Sequence, residues 1–373
     1  MLRVWPLVLI LCLLGTGCTV SEVIVAEESK LVVAKTPVEE SKLLDVGIVE
    51  FAAGLDKDND PRDSGVYEEI RFAETKYLAY HLKTTLQGTG HWGAVRVIPS
   101  REAFTDVVIS GTIEKSDGEF VELKVSVEDA AGRHWFDKTY ETQTGVTSYS
   151  ERRDRRLDPY QKVFNDIAND LYSYASALPP KQLQQTRQIS ELSFFADMSP
   201  LAYGEHLATD EEGIATIVRL PAENDPTVAR LRQIRERDRL VVDTLNEHYA
   251  NFYYGIAIPY RSWRKVTREE SVAYRQVKRS ARLQTLVGVV ILAGSLAAET
   301  DNTSSSRQRR VNRSLQNLGI AEGFNRIVGG VQRGREAESH VAAIGELSES
   351  FGAQAAPMVV NVEGQERRLT GTA

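Results

Sequence analysis

The chain has 373 residues, 42% of them apolar and 26% charged, with a net charge of -7. That is enough chain for two domains and an ordinary globular mix. The acidic balance weighs against general nucleic-acid binding, which needs a basic surface.

At the amino terminus, Met1-Leu2-Arg3 precedes the apolar run Val4 to Leu14. A membrane-spanning helix needs about 20 apolar residues, so this run is too short to span and has the form of a secretory signal over residues 1–17. Gly15-Thr16-Gly17-Cys18 follows. Small residues directly before a cysteine resemble the lipobox of bacterial lipoproteins, although Gly15 stands where that pattern prefers Leu. The resemblance implies cleavage before Cys18 and lipidation of its thiol. Each buried CH₂ of the acyl chains would contribute about 0.8 kcal/mol to anchoring. Thr19 after the cysteine, rather than Asp, resembles the sorting pattern for the outer membrane, with the folded part on the periplasmic face. Cys12 would leave with the signal, so the mature chain would hold neither disulfide nor free thiol. Residues 18–42 are expected to be lipidated Cys and tether, with a reach of about 80 Å when extended.

Residues 43–179 are expected to form an α/β domain. Leu44 to Phe51 is apolar enough for a buried strand. Asp56, Asp58 and Asp60 begin with calcium-loop spacing, but Pro61 occupies the glycine position and no Glu closes the loop. A solvated loop is the simpler reading. From Tyr67 to Gln87, Ile70, Ala73, Tyr77, Leu78, His81, Leu82 and Leu86 recur near one helical face; His81 is there a core-edge histidine. Gly88, Gly90 and Gly93 match a dinucleotide fingerprint, yet they follow a helix and precede the strand Ala94 to Pro99, so a turn is expected. Three alternating strands come next, Asp106 to Lys115, Phe120 to Glu128 and His134 to Thr142. Asp158-Pro159 opens an amphipathic helix that Pro179-Pro180 ends.

The order is β-α-β-β-β-β-α. The stretches VGIVEF, ETKYLAYHLKTTLQGTGHWGAVRVIPS and DVVISGTIEKSDGEFVELKVSVEDAAGRHWFDKTY resemble the amino-terminal domain of TolB and the related curli-secretion (CsgG-like) lipoprotein domains. Matching positions are Glu50-Phe51 at the end of the first strand, Val95-Arg96-Val97, the Val107 to Ile113 core, and Asp129 to Gly132. The likeness covers about 110 residues. It implies a periplasmic interaction or assembly domain, and it transfers no functional residue, since the shared positions are core and turn positions.

The rest is expected to be helical: a connector over 180–226, a helical domain over 227–356 and a terminal β-hairpin or tail over 357–373. Ser199-Pro200 starts a short helix to about Ala208. Asp225-Pro226 starts a longer one that Gly255 and Pro259 stop, and Thr267 with Glu270 forms a capping box for the next. That helix is basic at first and then carries no charge from Leu286 to Ala298. Thirteen residues rise only about 20 Å, short of a hydrocarbon core. The stretch is a buried central helix, or else Leu286, Val289, Val290, Ile291 and Leu292 contact a membrane or a second copy. Residues 299–310 form a loop between two antiparallel helices. The Arg cluster there (Arg307, Arg309, Arg310) is expected on a solvated face; the alternative makes these, with Arg279 and Arg282, the candidates for phosphate or headgroup contact. Pro357 opens a strand over Met358 to Val362.

The fold class is therefore α+β, a small mixed sheet with two helices followed by a mainly helical part containing a long hairpin. No H-E-x-x-H, G-x-S-x-G or P-loop occurs, and no metal or cofactor is expected. The leading expectation is a non-enzymatic envelope scaffold whose partners are the membrane, through its lipid, and other envelope proteins or copies of itself. An oligomeric secretion or pore component is the alternative, and a hydrolase of envelope polymers the third.

Overall fold

Strand β1 (Val46–Val49) is short and almost wholly buried, the pattern of a strand with neighbours on both sides. Parallel partners flank it, β2 (Val95–Ile98) and β3 (Val107–Ser116). β4 (Phe120–Asp129) and β5 (His134–Gln143) then continue the sheet antiparallel, in the order β2-β1-β3-β4-β5. The computed structural model describes residues 29–55, 67–98, 104–150, 152 and 157–297, with side chains as far as Val277, and five later residues: Ser348, Glu349, Ala353, Ala355 and Val359. The fold class is α+β.

The alternation seen in the sequence carries into β4, where Val121, Leu123, Val125 and Val127 are buried and Lys124 is exposed. Helices α1 (Glu68–Thr89) and α2 (Gln161–Ala177) complete this core, α2 with a regular apolar stripe of Val163, Phe164, Ile167 and Leu171. α1 is not the one-faced helix that its spacing predicts. It is enclosed by sheet, α2 and the long helix α5 (Pro226–Ala297), and it buries Arg71, Glu74 and Lys76 along with its apolar residues. Gly90 caps it at a φ of +69°, a conformation that favours glycine, so the expected turn begins at Gly90, while Gly88 belongs to the last turn of α1.

Four expectations for the remainder are corrected. First, the helices at 226–258 and beyond Thr267 are one helix of 72 residues, about 108 Å along its axis. Gly255 and Pro259 do not stop it. An interior proline costs about 3 kcal/mol, but Leu245, Tyr249, Phe252, Ile256, Tyr260 and Trp263 form an apolar stripe that crosses both positions and lies in the main core. The capping box at Thr267 is consequently inside the helix. Second, these residues share one core with the sheet, so the division at 226/227 falls within a single packed unit. Third, the short helix α4 (Pro200–Tyr203) gives way to β6 (Leu207–Thr209), which pairs with β7 (Ala215–Ile217). This hairpin docks on the sheet through Ala215 N–H to the Ala131 carbonyl at 2.8 Å. Fourth, Val359 is helical, not extended. With Ala355 it occupies i and i+4 positions in the main core, and Trp263 Nε1 donates to Ser348 Oγ at 3.0 Å.

Helix α3 (Pro180–Met198) starts at the second proline of the pair that ends α2, because proline suits a first helical turn. Its Leu192, Phe194 and Phe195 join Tyr203, Val228 and Leu231 in a second, smaller cluster. Part of the segment expected to be a tether, residues 18–42, is packed on the body instead. From Ser29 onward it lies on α1 and α2: Asn165 Nδ2 donates to the Ser29 carbonyl at 2.6 Å, and Asn169 holds Lys30 and Val32 at 2.9 and 2.8 Å. Ala34 N–H donates to the Thr89 carbonyl at 2.8 Å.

Candidate functional site

α5 is bound to the body by polar contacts that recur every turn or two. Arg239 pairs with Asp45 at 3.0 Å, Asp243 receives both Arg96 nitrogens at 2.6 and 3.0 Å, and Asn246 accepts from Val97 N–H and donates to Val97 C=O, each at 2.9 Å. The last contact gives edge strand β2 the partners that a sixth strand would offer. Tyr249 donates to Glu50 at 2.5 Å, and Glu50 also takes Lys76 at 2.9 Å. Farther on, Arg268 Nε donates to the Thr144 carbonyl at 3.2 Å and Arg275 pairs with Glu119.

The centre of this seam is a buried ion pair. Arg264 grips Asp158 with two hydrogen bonds of 2.8 Å, and both side chains are almost wholly buried. Asp158 comes from the turn before α2, where its Oδ1 also accepts Tyr160 N–H at 2.8 Å. The sequence expectation that Asp158 caps α2 is corrected: the helix starts at Gln161 with Tyr160 at its N-cap, and Asp158 sits two residues earlier, in the turn that the ion pair anchors. Burial works against its charge, but the Arg264 guanidinium overcomes this and holds the carboxyl well below the usual range. The guanidinium lies over the rings of Tyr260, Tyr160 and Tyr77 at 4.2, 4.8 and 5.8 Å, where ring faces stabilise a cation. Burial pushes all three phenols well above their ordinary range. Gly118, in the β3–β4 turn at φ +78°, abuts the Arg264 carbonyl so closely that a methyl group there would strike it.

Beside this pair, Glu74 of α1 accepts from Ser116 at 2.5 Å and Tyr260 at 2.6 Å, and lies 3.1 Å from Arg71. Burial raises its carboxyl despite Arg71 and these bonds. His81 is buried, as a core histidine. Its Nε2 faces Gln161 Oε1 at 2.9 Å and its Nδ1 the Tyr253 hydroxyl at 2.7 Å. An amide oxygen only accepts, so Nε2 carries the proton and Nδ1 accepts from Tyr253. Burial lowers its pKa against the pull of Asp158.

Above these groups opens a cavity of about 580 Å³, between α1, α2, α5 and the docked amino-terminal segment. Its floor is Tyr77, Asp158 and Arg264, its wall His81, Gln161 and Asn165, and its mouth Tyr254, Leu157 and Arg261. The floor groups are committed to one another. A second cleft of about 660 Å³ runs between α3 and α5, where Arg232 and Arg239 are already paired with Glu191 and Asp45. Among the described residues no group of three or more His, Cys, Asp or Glu is placed to hold a metal ion, and no helix is long and apolar enough to cross a membrane.

Of the residues singled out from sequence, Arg279, Arg282, Leu286, Val289, Val290, Ile291 and Leu292 all lie on the last turns of α5, beyond the described side chains. Cys18, Arg307, Arg309, Arg310 and the aspartates at 56, 58 and 60 lie outside the described residues. The network around Arg264 was missed. Its only sequence signal is that Asn246, Tyr249, Tyr260 and Arg264 continue one helical stripe, and polar members of a stripe pass for solvent-facing ones. No family model, curated protein or solved structure matches the chain.

Proposed function

We propose that this chain is a lipid-anchored protein of the bacterial outer membrane, facing the periplasm, that works as an assembly or interaction factor rather than as an enzyme. One observation carries the reading. α5 is a single helix of 72 residues keyed into the α/β body by the Arg264–Asp158 pair and the contacts on either side of it. Buried charge pairs contribute less to net stability than to fixing one arrangement, since any slipped register leaves a charge unpaired. A helix so held is a rigid arm. It continues 20 residues past Val277, about 30 Å, and carries the basic Arg279 and Arg282 and then the uncharged Leu286 to Ile291. The sequence resemblance to TolB amino-terminal and curli-secretion domains, which no family match backs, implies the same class of work. Because α5 ends in this uncharged stretch, self-association through it, as in a secretion complex, is the second reading.

The test is the mass of the native lipidated protein, extracted in mild detergent and sized by light scattering, with mass spectrometry of co-purifying chains. A monomer or small complex carrying other envelope proteins supports the assembly reading. A large homo-oligomer lost on deleting 286–298 supports the second. A bare monomer in cells whose envelope is indifferent to its removal overturns both. Acyl labelling lost in Cys18→Ala tests the anchor.

A further inference from the structure

We propose that the cavity between α1, α2 and α5 binds a saccharide ring that bears an acidic substituent. Its volume of about 580 Å³ is that of a small-molecule site. The floor offers no free charge, because Arg264 and Asp158 neutralise each other through paired bonds, so the cavity does not call for an ion at depth. The wall presents neutral groups with capacity left. Asn165 spends one amide hydrogen on the Ser29 carbonyl, and Thr84 donates to the His81 carbonyl and keeps its lone pairs. Hydroxyl-rich ligands pair with such side chains without charge.

At the mouth stands Tyr254, 66% exposed. It is braced edge-on against Tyr253, at 5.2 Å and 80°, and against Tyr80, at 6.4 Å and 75°. A large aromatic held rigid yet left in water costs little ordering on binding. Its electron-rich face suits the polarised C–H face of a sugar ring. Beside it Arg261 donates to the Leu157 carbonyl at 3.4 Å and has no carboxylate partner among the described residues. That places a cation with open donors where a carboxylate or phosphate on the sugar would lie. The inference goes beyond the arm reading and does not depend on it.

The test is calorimetric titration of the full chain in detergent with two disaccharides. One is the neutral β-1,4-linked N-acetylglucosamine dimer, the other the same dimer with a 3-O-lactyl carboxylate on one ring. Saturable binding with preference for the acidic sugar is expected. Arg261→Gln should remove that preference, weakening the acidic sugar roughly tenfold and sparing the neutral one. Tyr254→Ala should weaken both at least fivefold. Tyr254 is largely exposed and Arg261 is at the rim, so thermal midpoints should be unchanged. Absence of binding at millimolar sugar, or affinities indifferent to both substitutions, would overturn the site. Equal affinity of the unaltered protein for both sugars would overturn the role of Arg261. None of these failures touches the arm, whose test is the composition of the native complex.

Discussion

Replacing Arg264 with methionine keeps most of the side-chain volume and removes the charge, so it isolates what the buried pair contributes. Arg264 is 1% exposed and supplies both strong bonds to Asp158. Its loss strands a carboxylate under Tyr77 and Tyr160. Removing one member of a buried pair costs about 3–5 kcal/mol, and this is the expected loss at pH 7 in urea unfolding followed by circular dichroism. The pH dependence carries the mechanism. In the unaltered protein the Asp158 pKa lies below its unfolded value of 3.8, so its contribution is complete above that value and is lost only as pH falls through the lower folded value. In Arg264→Met burial is opposed only by the weaker Tyr160 N–H bond and the pull of His81, and raises the folded pKa above the unfolded one. The variant then gains relative to the parent as pH falls from 7 to 5, by up to about 1.4 kcal/mol per unit. Adding Asp158→Asn should recover part of the loss, since no charge is then stranded. A cost below about 1 kcal/mol, or a gap that does not narrow on acidification, would refute the reasoning.

Other perturbations test neighbouring parts of the seam. The folded state keeps His81 neutral while the unfolded chain takes up a proton, so His81 lowers stability as pH drops below about 6.5. His91 acts with the same sign, and buried Glu74 and Asp106, both raised by burial, oppose it. His81→Gln should therefore shift the slope of stability against pH between 7.5 and 5.5 toward these carboxylates; an unchanged slope would remove His81 from the account. Asn246→Ala uncovers the edge of β2 and should cost about 1–3 kcal/mol, with faster hydrogen exchange at the Val97 amide, and normal protection there would argue against the edge cap. Pro259→Ala restores an amide donor inside α5 and should raise stability by about 1–3 kcal/mol, unless the missing bond is compensated, in which case the thermal midpoint will not rise. Asn169→Ala should release the segment around Lys30 and Val32, detectable as proteolytic cleavage near Leu31 in the variant alone.

What the sequence by itself determined is what short-range physics governs. Strand alternation in Phe120 to Glu128, the turns at Gly90 and Gly118 and the β-α-β-β-β-β-α order all rest on neighbours within a few residues. They stand within a residue or two of where the periodicity places them. What only the tertiary structure decided depends on surfaces far apart in the chain. Gly255 and Pro259 are helix breakers in isolation, and only the core waiting for Phe252, Ile256 and Tyr260 makes continuation the lower free energy. The charges of α1 look solvent-facing until α5 covers them, and Arg264 looks like one more surface arginine until Asp158, 106 residues earlier, is brought against it. Burial of a polar group is set by its partners, and a linear pattern does not contain the partner.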